Sequence, residues 1–215
     1  MVVTTFTFND FYENTYILHD DSKECIIIDP GCSTSSERKL IKEFITSSEL
    51  TPVMLVNTHC HIDHVLGNRF IAETYQLGLY AHEQEKKVLA MQPTVAGYYG
   101  INYDPSPEIT GLLIPGTHLK FGNTTLEILY VPGHAPGHIC LYNLSGGHLI
   151  AGDTLFRESI GRTDLPGGNY DQLIAYIRSE LFSLPENTIV YSGHGETTTI
   201  GHEKKYNPFF REQII

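Results

Sequence analysis

The stretch VNTHCHIDHVLG, residues 56–67, sets His59, His61, Asp63 and His64 within six positions, directly after an apolar run that reads as a buried strand. Imidazole nitrogen and carboxylate oxygen are the donors that zinc, iron and manganese take from a protein. The same local grammar recurs three times further on. The strand-like LEILYVPG runs into His134, HLIAG into Asp153 and TIVYSG into His194. A ligand placed just past a buried strand stands on a loop whose base is anchored, which is what holding a metal requires.

Spacing sorts these residues. His59 and His61 are two apart, so in extended backbone they project to one side and can pinch one cation. Asp63 and His64 are adjacent and serve a second cation better than they crowd the first. The cluster is therefore half of a site, which His134 and His194 complete with one ligand each, and Asp153, with two oxygens, can bridge. Two cations about 3.5–4 Å apart can share one hydroxide, lower its pKa toward about 7 and polarise a substrate carbonyl.

These ligands need rigid elements beneath them. VVTTFTF, TYILHD and CIIIDPG read as strands, and a helix follows with Thr34 and Glu37 as a capping box and Leu40, Ile41, Phe44 and Ile45 on one face. PVMLVN is the next strand, VLGNRFIAETYQ a helix, GLYAH a short strand and EQEKKVLAM a charged helix. Residues 91–111, rich in Tyr, Pro and Gly, show no clear period and read as a long loop, with Tyr98, Tyr99 and Tyr103 as candidates to rim a pocket. Beyond it HLKFG, TLEILYVPG, HICLYNL and HLIAGD form hairpins joined by short turns. A helix capped by Asn169, with Leu173, Ile174, Ile177 and Leu181 on one face, precedes TIVYSGHG as the last strand, and HEKKYNPFF is a helical tail. Two packed sheets with helices outside are expected.

Composition narrows the function classes. A chain of 215 residues, 41% apolar and 18% charged, fits one soluble domain over 1–215. The formal charge of −11 argues against nucleic acid as a partner. No apolar run reaches the roughly 18 residues of a membrane span, and the start of the chain has no signal-peptide pattern, so a cytoplasmic protein is expected. Cys25, Cys32, Cys60 and Cys140 match no paired-cysteine motif and read as small buried hydrophobes.

With these residues in view, THCHIDH, PGHAPGH, GDTLF and SGHG resemble, in order and over nearly the whole chain, the signatures of the metallo-β-lactamase superfamily. GDTLFRESIGRTDLPGG together with TTIGHEKKYNPF is similar to its glyoxalase II-like branch, the hydroxyacylglutathione hydrolases and their short relatives. The resemblance implies an α/β fold, a four-layer αββα sandwich with the metal site at one edge of the two sheets. It implies two divalent metal ions, zinc first with iron or manganese as alternatives. His59, His61, His134 and Asp153 would hold one, and Asp63, His64, Asp153 and His194 the other. It also implies hydrolysis of a small-molecule thioester of the S-lactoylglutathione type by a bridging hydroxide that Asp63 orients, in a monomer or homodimer. Classical members carry a C-terminal helical domain with cationic contacts to glutathione. Only about twenty residues follow His194 here, so that domain is not expected, and Lys204, Lys205 and Arg211 are the candidates for part of its role.

Two other activities use the same scaffold. A mononuclear iron persulfide dioxygenase would rely on His59, His134 and Asp153, and a lactonase would use the full ligand set. Several neighbouring residues carry two readings. Asp29 either orients a ligand histidine or caps its turn; His138 is a structural histidine or a support for the ligands; Arg162 and Asp164 pair to fix the loop after Asp153. Cys60 packs. His19, His82, His118, His148 and His202 read as surface or capping residues.

Overall fold

The computed structural model describes residues 1–211, so the last four of the expected 1–215 span lie outside the described residues. Contacts divide the chain into two compact units, Met1–Leu113 with Leu119–Thr125, and Ile114–His118 with Leu126 onward.

The first unit is a six-stranded sheet in the order β1-β2-β3-β4-β5-β6. Its strands are β1 (Val2–Phe8), β2 (Glu13–His19), β3 (Glu24–Ile28), β4 (Thr51–Val56), β5 (Leu79–Ala81) and β6 (Ile109–Leu112). β1, β2 and β3 pair antiparallel, while β3 to β6 run parallel, so the strand ends at Ile28, Val56 and Ala81 point the same way. Parallel strands need crossovers, and α1 (Ser35–Ser47), α2 (Ile62–Val65), α3 (Asn68–Tyr75) and α4 (Glu85–Tyr99) lie in them. Thr34 caps α1 through the expected capping box. Ile41 and Ile45 enter a core with Ile17, Ile27, Leu55 and Leu79. Leu40, expected on that face, is exposed instead.

Two expectations about the helices need correction. VLGNRFIAETYQ is not one helix: Gly67 separates α2 from α3, and its N–H donates to Pro30 O at 2.7 Å. A Cβ at Gly67 would press on Pro30 O and Cys32 Sγ, so the break is set by close backbone approach. Much of the 91–111 loop is helix, because α4 continues through Pro93 to Tyr99 and stops at Gly100, whose φ is 67°. Val88, Gln92 and Ala96, spaced by four, form its buried stripe. A glutamine in that stripe hid the period. Tyr98 is exposed, Tyr99 meets Phe11 edge-on, and Tyr103 bonds Ser106 in the remaining loop.

In the second unit β8 (Thr124–Tyr130), β9 (Ile139–Asn143) and β10 (His148–Gly152) pair antiparallel in sequence, and β10 then pairs parallel with β13 (Ile189–Ser192). β7 (His118–Phe121) precedes them at the chain's crossing between the units. A short hairpin, β11 (Leu155–Phe156) with β12 (Ser159–Ile160), lies where a plain loop was expected. TIVYSGHG is not the last strand, since β14 (Thr198–Thr199) returns antiparallel to β13. Asn169 caps α5 (Tyr170–Tyr176), a wider π-helical turn continues over Ile177–Leu181, and Thr199 caps α6 (Ile200–Tyr206). Leu173, Ile177 and Leu181 are buried against Leu149, Val190 and Ile200. Each such side chain contributes roughly 1.5–3 kcal/mol by leaving water.

All four cysteines are free and buried. Burial pushes the Cys25, Cys32 and Cys140 thiols up to about 12 and the Cys60 thiol well up. Thiolate is the reactive form, so native protein at pH 8 should show no thiol fast toward a disulfide reagent, and all four should react once denatured. A single fast native thiol would contradict this burial. Among the described residues no helix is long and apolar enough to cross a membrane.

Candidate metal centre

In the first unit β4 delivers Asn57 and Thr58, and the chain then bends through His59, Cys60 and His61 into α2, which carries Asp63 and His64. The His59 ring lies 4.8 Å from that of His61 and 4.2 Å from that of His64, centroid to centroid. His64 Nε2 is 3.5 Å from Asp63 Oδ2. These four residues come together, with the His59 ring nearer to His64 than to His61, the residue its spacing pairs it with.

What holds them is a set of buried carboxylates from three other elements. Asp29, just past β3, accepts from Thr58 N at 2.8 Å and from Thr58 Oγ1, and its Oδ2 faces His64 Nδ1 at 3.3 Å. It therefore both caps the turn and faces a candidate ligand histidine, so the two readings of Asp29 merge. A carboxylate on one ring nitrogen fixes the tautomer and leaves the other nitrogen's lone pair for a cation. Asp29, His59 and His64 each offer one ligand atom within 4.8 Å of one another. Glu13, at the start of β2, stands behind with Oε1 3.8 Å from His64 Nδ1. Burial pushes its carboxyl well above the usual range; His64 opposes this and Asp29 adds to it. Glu85, buried in the first turn of α4, accepts from Cys60 N at 2.7 Å and so pins the backbone between His59 and His61. Asn9, with φ of 51°, donates to Asp63 O at 3.0 Å and to Gly31 O at 3.1 Å. Sequence reading missed Glu13, Glu85 and Asn9. Glu85 sits in a run of charged residues that looks solvated, and only its burial distinguishes it.

The second unit brings His134, Asp153 and His194 together. Asp153 Oδ2 lies 3.5 Å from His134 Nε2 and 3.5 Å from His194 Nε2, one oxygen facing two imidazoles. A register shift between Ile150 and Gly152 in the β10–β13 pairing, with Gly152 at φ 51°, re-aims the chain immediately before Asp153. His138 Nε2 accepts the Asp153 N–H at 3.0 Å, so this histidine supports the backbone of that candidate ligand. His134 Nδ1 donates to Arg162 O at 2.8 Å, which directs its Nε2 lone pair at Asp153. Arg162 is itself locked to Asp164 by two bonds of 2.7 and 2.8 Å, the expected pair. That fork holds the Asp164 carboxyl down to about 2. Gly161 packs on the back of this set, where a Cβ would overlap Asp153 O and reach within 3.1 Å of His134 Nδ1.

The donor chemistry fits divalent cations. Each set mixes imidazole nitrogen with carboxylate oxygen; the His134 tautomer is directed by Arg162 O, and the Asp29 carboxylate lies 3.3 Å from His64 Nδ1.

Comparison with known proteins agrees with this chemistry. A sequence model described as the metallo-beta-lactamase superfamily matches residues 9–194. The hydroxyacylglutathione hydrolase GloC of Haemophilus influenzae is 35% identical over 205 residues, covering 94% of this chain and 95% of that protein. The crystal structure of BLEG-1 B3 metallo-beta-lactamase superposes with a TM-score of 0.90 at 33% identity, over 98% of this chain and all of that one (100%). That of TTHA1623 in a di-iron-bound form gives 0.86 at 35% identity, over 96% and 100%. The expected α/β fold of this group, with its two multi-stranded sheets, is the fold observed.

Proposed function

The chain belongs to the metallo-β-lactamase superfamily and is a metal-dependent hydrolase; from that premise we propose that its two donor sets serve one binuclear centre that cleaves a thioester of the S-lactoylglutathione type in the cytoplasm. The observation that carries the binuclear reading is the single Asp153 oxygen equidistant from His134 and His194. The 35% identity to a hydroxyacylglutathione hydrolase supports the substrate class. His59, His61, His134 and Asp153 would hold one cation, and Asp63, His64, Asp153 and His194 the other. Zinc is the leading ion, with iron and manganese as rivals. When bound, such a pair supplies Lewis acidity that makes water nucleophilic near neutral pH and polarises the thioester carbonyl.

The chain's own residues do the rest. Asp63 orients the attacking water and accepts its proton at a carboxylate oxygen as the new C–O bond forms. The C–S bond then breaks, and the thiolate departs with the electron pair and takes a proton from solvent. Arg162 O keeps His134 in the tautomer that the ligand role needs, and Asp29 places a negative charge against His64, so no reorganisation is required during reaction.

Protein purified without added metal, assayed for metal content and for S-lactoylglutathione cleavage under nitrogen, tests this reading. About two metals per chain and thiol release without oxygen are expected. A single iron, with oxygen uptake on glutathione persulfide and no anaerobic cleavage, would replace it by the dioxygenase reading. Cleavage of acyl lactones alone would replace it by the lactonase.

A further inference from the structure

The second donor set opens to solvent at His194, whose side chain is 28% exposed against 3% for His134 and 10% for Asp153. The β11–β12 hairpin lies beside it. Phe156 meets the His194 ring edge-on at 6.2 Å, and Arg157, the next residue, faces Glu196 across 3.9 Å. That separation is beyond hydrogen-bond reach, and both side chains are exposed, at 51% and 82%. Three other cations of this unit are engaged, while Lys204 and Arg211 are exposed on the C-terminal stretch, away from the hairpin in sequence. Arg162 is forked onto Asp164, Arg178 lies over Phe210 and Lys205 over Tyr206. Arg157 is thus a loosely held cation next to the most open ligand of the set.

The backbone next to that cation is pinned. Glu158 has φ of 56°, a left-handed conformation that a non-glycine residue keeps only when its surroundings enforce it. Enforcement comes from α6 and its flanks. Glu203, fully buried, accepts the Glu158 N–H at 2.9 Å as well as Thr198 Oγ1 and Asn207 Nδ2; Asn207 Nδ2 also donates to Ser159 O at 2.9 Å, and His202 Nε2 lies 3.0 Å from Glu158 Oε1. Every one of these partners belongs to the TTIGHEKKYNPF stretch, to which the hydrolytic chemistry gives no task. Anchoring the N–H of Glu158 in the turn and the C=O of Ser159 that follows it is more than an ordinary surface hairpin needs. A chain of charge −11 repels anions in general, so a cation on the hairpin beside His194 favours the docking of an anionic substrate there.

We propose that Arg157 is a specificity-determining residue that binds a carboxylate on the non-reacting, thiol-carrier part of the substrate, held in place by the Glu203–Asn207 bracket. This rests on the thioester reading. The test compares the metal-loaded enzyme on S-acetyl-3-mercaptopropionate and on its neutral methyl ester. Wild type should prefer the acid, and the preference should fall as salt rises. Arg157→Gln should lower kcat/KM for the acid roughly tenfold, through KM, and leave the ester unchanged, with Arg157→Lys restoring part of the loss. Glu196→Gln should sharpen the preference. Equal losses on both substrates, or an unaltered acid-to-ester ratio, would overturn the assignment. If wild type cleaves neither thioester, the thioester reading falls, and binding then decides on Arg157. By ligand-observed NMR, the inert thioether S-propyl-3-mercaptopropionate should bind wild type better than its methyl ester does, and Arg157→Gln should abolish the difference. Equal binding of acid and ester to wild type would end the proposal.

Discussion

Asp153→Ala is expected to release both metal ions together and to lower kcat by about 10³-fold or more, since the stabilisation at stake is several kcal/mol and each 1.36 kcal/mol is tenfold. The reason lies in one oxygen placed 3.5 Å from two imidazoles assigned to different ions. Removing a ligand of one ion only would leave the other bound. The fold should survive, because the bend before Asp153 is set by the Gly152 backbone and by the His138 bond to Asp153 N, neither of which needs the carboxylate. Metal analysis after gel filtration, with circular dichroism as the control, reads both effects. A variant that kept two ions and full turnover would refute the bridge.

Asp29→Asn should weaken metal binding by about 10–100-fold, the range found when an oxygen partner behind a ligand histidine is changed. This substitution separates charge from conformation. Asp29 has φ of 49°, a region that asparagine enters about as readily as aspartate, so the backbone should hold. What changes is the partner of His64 Nδ1, which loses a full negative charge at 3.3 Å. Asp29→Ala should do worse on two counts. It leaves the buried Thr58 N–H without its acceptor, at a cost of about 1–3 kcal/mol, and alanine resists that φ. Competition with a chelator measures affinity and thermal unfolding measures stability. Unchanged affinity in the asparagine variant would remove Asp29 from the orienting role.

The ligand candidates were legible in the sequence because each follows an apolar run that had to be a buried strand, and because two-residue spacing carries geometry. The supporting carboxylates were not. Glu13 begins a strand whose first six residues are all buried, and Glu85 stands among charged neighbours, so composition marks neither as unusual. Only tertiary placement shows that one backs His64 and the other grips Cys60 N. Helix α4 was obscured by the same kind of exception, a glutamine in the buried stripe and a proline inside the helix. Asp29 and His138 lay between: their proximity to the ligands was readable, but the atoms they touch depend on how β3 and β4 align and on how the chain turns after β8.

The clamps on the first donor set, Asn9, Glu13, Asp29 and Glu85, all precede residue 86, whereas the bracket on the β11–β12 hairpin waits for Glu203 and Asn207. At about 5–20 residues per second, a ribosome takes roughly ten seconds to cover the interval between Glu85 and Asn207. One set of ligands and its braces therefore exists in the growing polypeptide well before its counterpart has been synthesised. A cation present during synthesis would therefore meet His59, His61 and His64 before His134 and His194 exist.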